Sequence, residues 1–145
     1  MAWARMCGSA EKESLGFDVL KTNTADWVSL GAVTPTINVT PNVSMEVKSP
    51  RDGGITINCN KRFKVTSGMK CYWNTGADTP AGGWGNVSIQ ISNDNAISWQ
   101  EVGAINSLNT PSGNRNVPIT GDNCLLRLTG YAGQSRIVIA GLTIR

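Results

Sequence analysis

WGNVSIQISNDNAISWQEVG, residues 84–103, sets two runs of apolar residues on either side of an Asn- and Asp-rich turn. Val87, Ile89 and Ile91 alternate with Ser88, Gln90 and Ser92, the two-residue period of a strand with one buried face. Asn93, Asp94 and Asn95 tolerate left-handed backbone and bond back to the main chain, so they turn it. Ile97, Trp99 and Val102 are then expected to return apolar groups to the buried side. The stretch is a hairpin, and the chain around it supplies more strands to pack on it.

Outward from the hairpin the same grammar repeats. LGFDVLKT (15–22) sets Leu15, Phe17 and Val19 against Gly16, Asp18 and Leu20, and Trp27, Val28 and Leu30 form a short run ending at Gly31. TPTINVTP (34–41) has prolines at both ends, which confines it to a sheet edge or a crossing loop. VSMEVKS (43–49) places Val43, Met45 and Val47 inward, and Ser49 to Gly54 is a turn. ITINCN (55–60), RFKVTSG (62–68) and MKCYWN (69–74) alternate in the same way. Two long polar loops, 74–83 and 106–116, follow and bracket the hairpin. The last strand, RIVIAGLTIR (136–145), is apolar on both faces, which is expected of a central strand or of one that also covers a subunit contact.

Ten to twelve short strands with turns between them and no helical period predict an all-β fold: an antiparallel, jelly-roll-like β-sandwich, its long loops serving as crossovers. Residues 1–14 are expected to form an N-terminal arm and residues 15–145 a single domain. The arm has no apolar run of signal-peptide length, so export by a cleaved signal is not expected. No stretch approaches the roughly 20 apolar residues of a membrane-spanning helix.

Composition excludes most catalysis. The 145 residues contain no histidine, which removes Ser-His-Asp, Cys-His and His-metal chemistry. The ten acids (Glu11, Glu13, Asp18, Asp26, Glu46, Asp52, Asp78, Asp94, Glu101 and Asp122) fall mostly in turns or on outward strand positions. No enzyme, cofactor or metal site is expected. Cys7, Cys59, Cys71 and Cys124 are widely spaced, unlike zinc ligands, and read as free buried thiols; a Cys59–Cys71 disulfide is the alternative. Net charge is +3 with scattered cations, so nucleic acid is not an expected partner; Lys61, Arg62 and Lys64 fit a strand with outward charges.

Ser92, Asp94, Ser98 and Trp99 carry one local resemblance. The segment is similar to the Asp-box, S-x-D-x-G-x-T-W, a hairpin of sialidases and many other β proteins, with Ser98 for Thr and Ala96 for Gly. The resemblance implies a structural turn tied by Asp94, with Trp99 plugging the core.

In overall layout, residues 15–145 resemble small β-sandwich virion proteins of tailed bacteriophages, of the capsid decoration or cement type. That resemblance implies a homo-oligomer, a trimer above all, made in the host cytoplasm and carried in the virion. Its partners would be the major capsid protein or other virion subunits, with no membrane or nucleic acid. Trp3, Arg5 and Met6 of the arm, with Trp84 and Arg115, would be the contact residues. The second expectation is a carbohydrate-binding or tail-fibre module of a phage or secreted enzyme, with Trp84 and Tyr131, beside Gly-rich loops, as a sugar-stacking platform.

Overall fold

The structure is a computed structural model that describes residues 14–31, 33–48, 53–75, 86–106, 110–133 and 136–145, without the side chains of 53 and 131–133. Trp3, Arg5, Met6, Cys7 and Trp84 lie outside the described residues, as does the side chain of Tyr131.

Among the described residues, thirteen strands make two sheets. One contains β1 (Ser14–Leu15), β3 (Trp27–Leu30), β6 (Gly53–Cys59), β7 (Phe63–Val65), β9 (Asn86–Ser92), β10 (Gln100–Asn106) and β12 (Gly121–Gly133). The other contains β2 (Phe17–Asp18), β4 (Thr36–Thr40), β5 (Ser44–Lys48), β8 (Lys70–Thr75), β11 (Ser112–Asn116) and β13 (Arg136–Ile144). Among the described residues every strand pairing is antiparallel except β1 with β7. The chain crosses between sheets from β8 to β9 and from β10 to β11, at the two long connections expected to do so. The protein is an all-β, jelly-roll-like sandwich.

Each sheet is built around one long strand. β12 pairs with β6, β7 and β9, and β13 pairs with β2, β5 and β8. The two-sided apolar character of β13 is thus the character of a central strand: Ile137, Ile139, Leu142 and Ile144 are buried between the sheets, and Val138 and Ala140 are half-buried outside. The proline-flanked β4 is an edge strand, as its prolines require.

The core interleaves Ile57, Phe63, Ile89, Ile91, Ile105, Leu126 and Leu128 of the first sheet with Met45, Val47, Ile137, Ile139, Leu142 and Ile144 of the second. Trp73 is clamped between two glycines: a Cβ on Gly103 would stand 2.9 Å from the indole, and one on Gly113 2.8 Å. Cys59 on β6 and Cys71 on β8 belong to different sheets, and these thiols and that of Cys124 are free and buried. Burial pushes Cys59 up to about 11 and Cys71 up to about 12, so both stay protonated and inert.

Several details depart from the sequence expectation, beginning with Val19–Lys21, read as part of a strand, which forms a 3-10 helix capped by the Asp18 side chain. Leu15 and Val43 are 69% and 62% exposed rather than inward, because Gly16, at φ +74°, ends β1 after two residues and Val43 sits in the turn before β5. Residues 112–116, read as loop, form β11; SGNRN has no apolar alternation because it is an edge strand with mostly exposed residues, held chiefly by the main-chain ladder to β8. Lys61 and Arg62 precede β7 instead of lying on a strand.

Candidate functional site

The hairpin turn sets the site's geometry. The Ser92 hydroxyl donates to Asp94 Oδ1 (2.8 Å) and accepts from the Ala96 N–H (2.9 Å), while Asp94 Oδ1 accepts from the Ser98 N–H (2.9 Å) and Oδ2 from the Ser98 hydroxyl. These bonds, those from Ser98 foremost, hold the Asp94 carboxyl down at about 2. The tied turn implied by the Asp-box resemblance is therefore formed. Asn95 and Ala96 adopt left-handed backbone at φ +60° and +69° to make it.

The turn's return strand corrects the sequence reading. Ile97 is 84% exposed, and Trp99 is half-buried outside the core; only Val102 is buried. Glu101 pairs with outward Gln90, and a bulge between Glu101 and Gly103 then puts both Val102 and Gly103 inside. Strict alternation back from Glu101 leaves Trp99 on the outer face. Odd-numbered Trp99 and even-numbered Val102 cannot share a face without a bulge between them, and the bulge does not place Trp99 inside.

On that outer face the register aligns two rows across five strands. Val28, Asn58, Arg127, Gln90 and Glu101 make one row over β3, β6, β12, β9 and β10. Leu30, Thr56, Thr129, Ser88 and Ala104 make the next. At ~4.8 Å per strand each row is about 19 Å long.

The side chains of these rows hold one another. Arg127 Nε donates to Gln90 Oε1 (2.8 Å), Gln90 Nε2 to Ser88 Oγ (3.2 Å), and Ser88 Oγ to Glu101 Oε2 (2.6 Å). Arg115, reaching from β11 of the other sheet, closes the chain on Glu101 Oε1 at 2.9 Å. Ser88 first and Arg115 second lower the Glu101 pKa, so it is a carboxylate at neutral pH. The Arg127 guanidinium lies 4.3 Å from the Trp99 ring centre, a cation–π stack that fixes the guanidinium plane. Thr56 and Thr129 share a hydrogen bond at 3.0 Å. Asn58 Oδ1 is buried and has no hydrogen-bond partner among the described residues.

The outer face of the six-stranded sheet is arranged differently. Asn114, Tyr72, Thr143 and Asp18 form a row, and the Arg145 guanidinium lies 4.1 Å from the Tyr72 ring centre. Arg136 and Glu46 pair at 2.6 Å on the same sheet. Among the described residues no three His, Cys, Asp or Glu side chains gather as a metal site would require.

Of the residues the sequence reading singled out for contact, Arg115 alone is described, and it is exposed on an edge strand, engaged with Glu101. Arg127, Gln90, Ser88, Glu101 and Asn58 were not singled out. Their signal was present as the polar half of each alternation, but alternation says only that a residue faces out.

No protein-family model and no curated protein sequence matches the chain. Solved structures match it in fold. The apo structure of BiXyn10A CBM1 superposes with a TM-score of 0.57 at 12% identity, covering 92% of this chain and 97% of that one. A family 29 carbohydrate-binding module gives 0.54 at 15% identity, covering 88% and 86%. A variant of CBM29-2 complexed with cellulohexaose gives 0.52 at 14% identity, covering 89% and 90%. CBM29-2 was also solved with single alanine replacements of a tyrosine, an arginine and an aspartate, made to probe how family 29 modules recognise ligand.

Proposed function

We propose that this chain is a non-catalytic carbohydrate-binding module, and that its saccharide lies along the two rows on the outer face of the seven-stranded sheet. The observation that carries this reading is the continuous chain Arg127–Gln90–Ser88–Glu101–Arg115 beside Trp99. A sugar presents hydroxyls at its rim and C–H groups on its faces. It is recognised by planar amide, guanidinium and carboxylate groups together with a flat apolar surface, and this face supplies both kinds. The polar groups are already fixed by one another, so little side-chain entropy is lost when a ligand arrives. Glu101 still has acceptor capacity after its two bonds. Exposed Val28 and Leu30 extend the apolar strip at the end of each row. The fold is the one that BiXyn10A CBM1 and the family 29 modules share, which is consistent with this use.

The capsid-decoration reading has no structural neighbour behind it, and its arm contacts lie outside the described residues. A glycan array followed by calorimetry with cellulohexaose and other neutral oligosaccharides tests the module reading. Trp99→Ala and Arg127→Ala should each weaken binding at least about tenfold, a loss near 1.4 kcal/mol, while Tyr72→Ala on the opposite face leaves it intact. A chain that binds no glycan, or one whose binding is lost in Tyr72→Ala but kept in Trp99→Ala, rules the assignment out.

A further inference from the structure

We infer that a groove at the edge of the sandwich is a second site, for the carboxylate of an acidic sugar; the sugar class rests on the module reading above. The groove lies where the chain passes from β1 in one sheet to β2 in the other. Gly16 makes the crossing at φ +74°, so close to β13 that a Cβ there would stand 2.2 Å from the Ile144 carbonyl oxygen. Beside this crossing is a cavity of about 310 Å³, at the small end of the roughly 300–1,000 Å³ range of ligand sites and suited to one or two sugar rings.

Its charge is one-sided. Lys21, Lys61, Arg62 and Arg145 line it, with Asp18 the one acidic side chain among the lining residues. Four cations less one carboxylate is +3, as much as the formal net charge of the whole chain. The cations have neutral partners or none. Lys21 Nζ donates to Asn42 Oδ1 (3.3 Å), Arg62 Nη2 to Asn95 Oδ1 (2.7 Å), and Arg145 stacks on Tyr72. The Lys61 ammonium has no partner among the described residues. Asp18 is turned to its own backbone, where Oδ1 accepts the Leu20 N–H at 3.0 Å, and the Arg145 carbonyl oxygen is held in the ladder by the Lys70 N–H. Cationic side chains outnumber acidic ones four to one here, an arrangement that draws an anion. Apolar side chains line it as well, with Leu15 69% exposed, so the anion that fits has a ring or carbon body as well as a charge. A uronic acid sugar has both.

The experiment is an NMR titration of the full chain with an oligogalacturonate and, separately, with cellulohexaose, at low and high sodium chloride. The acidic oligomer should move the amide signals of Leu15, Lys61, Arg62 and Arg145. Its affinity should fall with salt and fall about three- to tenfold in Lys61→Ala and again in Lys21→Ala. Both lysines are exposed, and the unchanged remainder of each spectrum verifies the fold. The neutral sugar should move the signals of Gln90 and Arg127 instead. If the acidic oligomer moves only the Gln90 and Arg127 face, if inorganic phosphate displaces it from the groove at equal concentration, or if Lys61→Ala binds it unchanged, the groove inference fails and the module reading stands. If neither sugar binds anywhere, the module reading fails and takes this inference with it.

Discussion

The two outer faces of this sandwich carry the same pair, an arginine stacked on an aromatic ring, at nearly the same distance: 4.3 Å for Arg127 on Trp99 and 4.1 Å for Arg145 on Tyr72. Their surroundings differ. Arg127 stands mid-sheet, partly desolvated so that its pKa is lowered, with its Nε spent on Gln90 and the chain of bonds running on to Glu101 and Arg115. Arg145 stands at the rim beside an open groove, with the Tyr72 ring as its side-chain partner among the described residues. The first pair is a fixed part of a surface and the second is one cation among four at a cavity mouth. A stacked arginine does not define a site by itself. What it can recognise is set by whether its remaining donors are held in a network or left facing space.

The comparison breaks most sharply at two glycines. A Cβ on Gly130 of β12, at φ +154°, would stand 2.1 Å from the Asn86 carbonyl oxygen of β9, whereas one on Gly141 of β13 meets nothing within 4 Å. Gly130→Ala should cost about 3 kcal/mol or more and separate the strands that carry Arg127 and Gln90. Gly141→Ala should stay within about 0.5 kcal/mol of the parent. Urea unfolding of the two variants measures the difference, and equal losses would mean that the two sheets do not differ in this way.

Glu101→Gln comes next. It removes the charge that both Ser88 and Arg115 address, so saccharide affinity should drop about tenfold (near 1.4 kcal/mol), with stability changed by less than about 1 kcal/mol because the pair is exposed. The matching change on the other face, Glu46→Gln, removes the partner of Arg136 and should leave neutral-sugar binding alone. Calorimetry on the two variants separates a working network from a surface ion pair.

Smaller effects sharpen the turn that aims Trp99. Asp94 titrates at about 2 in the fold against an ordinary 3.8. The unfolded chain therefore takes up the proton first, so the carboxylate's contribution is complete above about pH 4 and is lost as pH falls through 2. Carboxyl NMR should place its midpoint near 2, and Asp94→Asn should flatten that part of the stability profile. Ala96 sits at φ +69°, where glycine is less strained. Ala96→Gly should gain about 0.5 kcal/mol, the relief of the left-handed backbone reduced by the greater freedom of the unfolded chain; a loss would mean that the alanine methyl packs usefully.

Much of this was legible from one sequence. Val87, Ile89 and Ile91 declared their buried side, the prolines around β4 marked an edge, and the two long loops each coincided with a passage between sheets, although short connections make most of the other passages. The Ser92, Asp94 and Ser98 pattern named its turn correctly. β11 was hidden because an edge strand with five exposed or half-exposed residues needs no apolar period. Trp99 was misplaced because tryptophan's size suggests burial, while its face depends on where a bulge falls in β10. The cations at the edge groove were hidden for another reason: Lys21, Lys61 and Arg145 come from three distant parts of the chain.

The class of fold and the inside of the molecule were legible in the sequence, because burying apolar surface with a two-residue period leaves few other solutions for a chain whose sequence shows no helical period of useful length. The sequence also determined that histidine chemistry is absent. Tertiary structure alone decided which polar residues stand side by side. Register across β3, β6, β12, β9 and β10 put Asn58, Arg127, Gln90 and Glu101 in one row, and the passage of β1 and β2 between sheets gathered the edge cations. An outward-facing residue leaves no periodic trace of its lateral neighbour, since that neighbour is chosen by strand order and register, which depend on the packing of the whole chain.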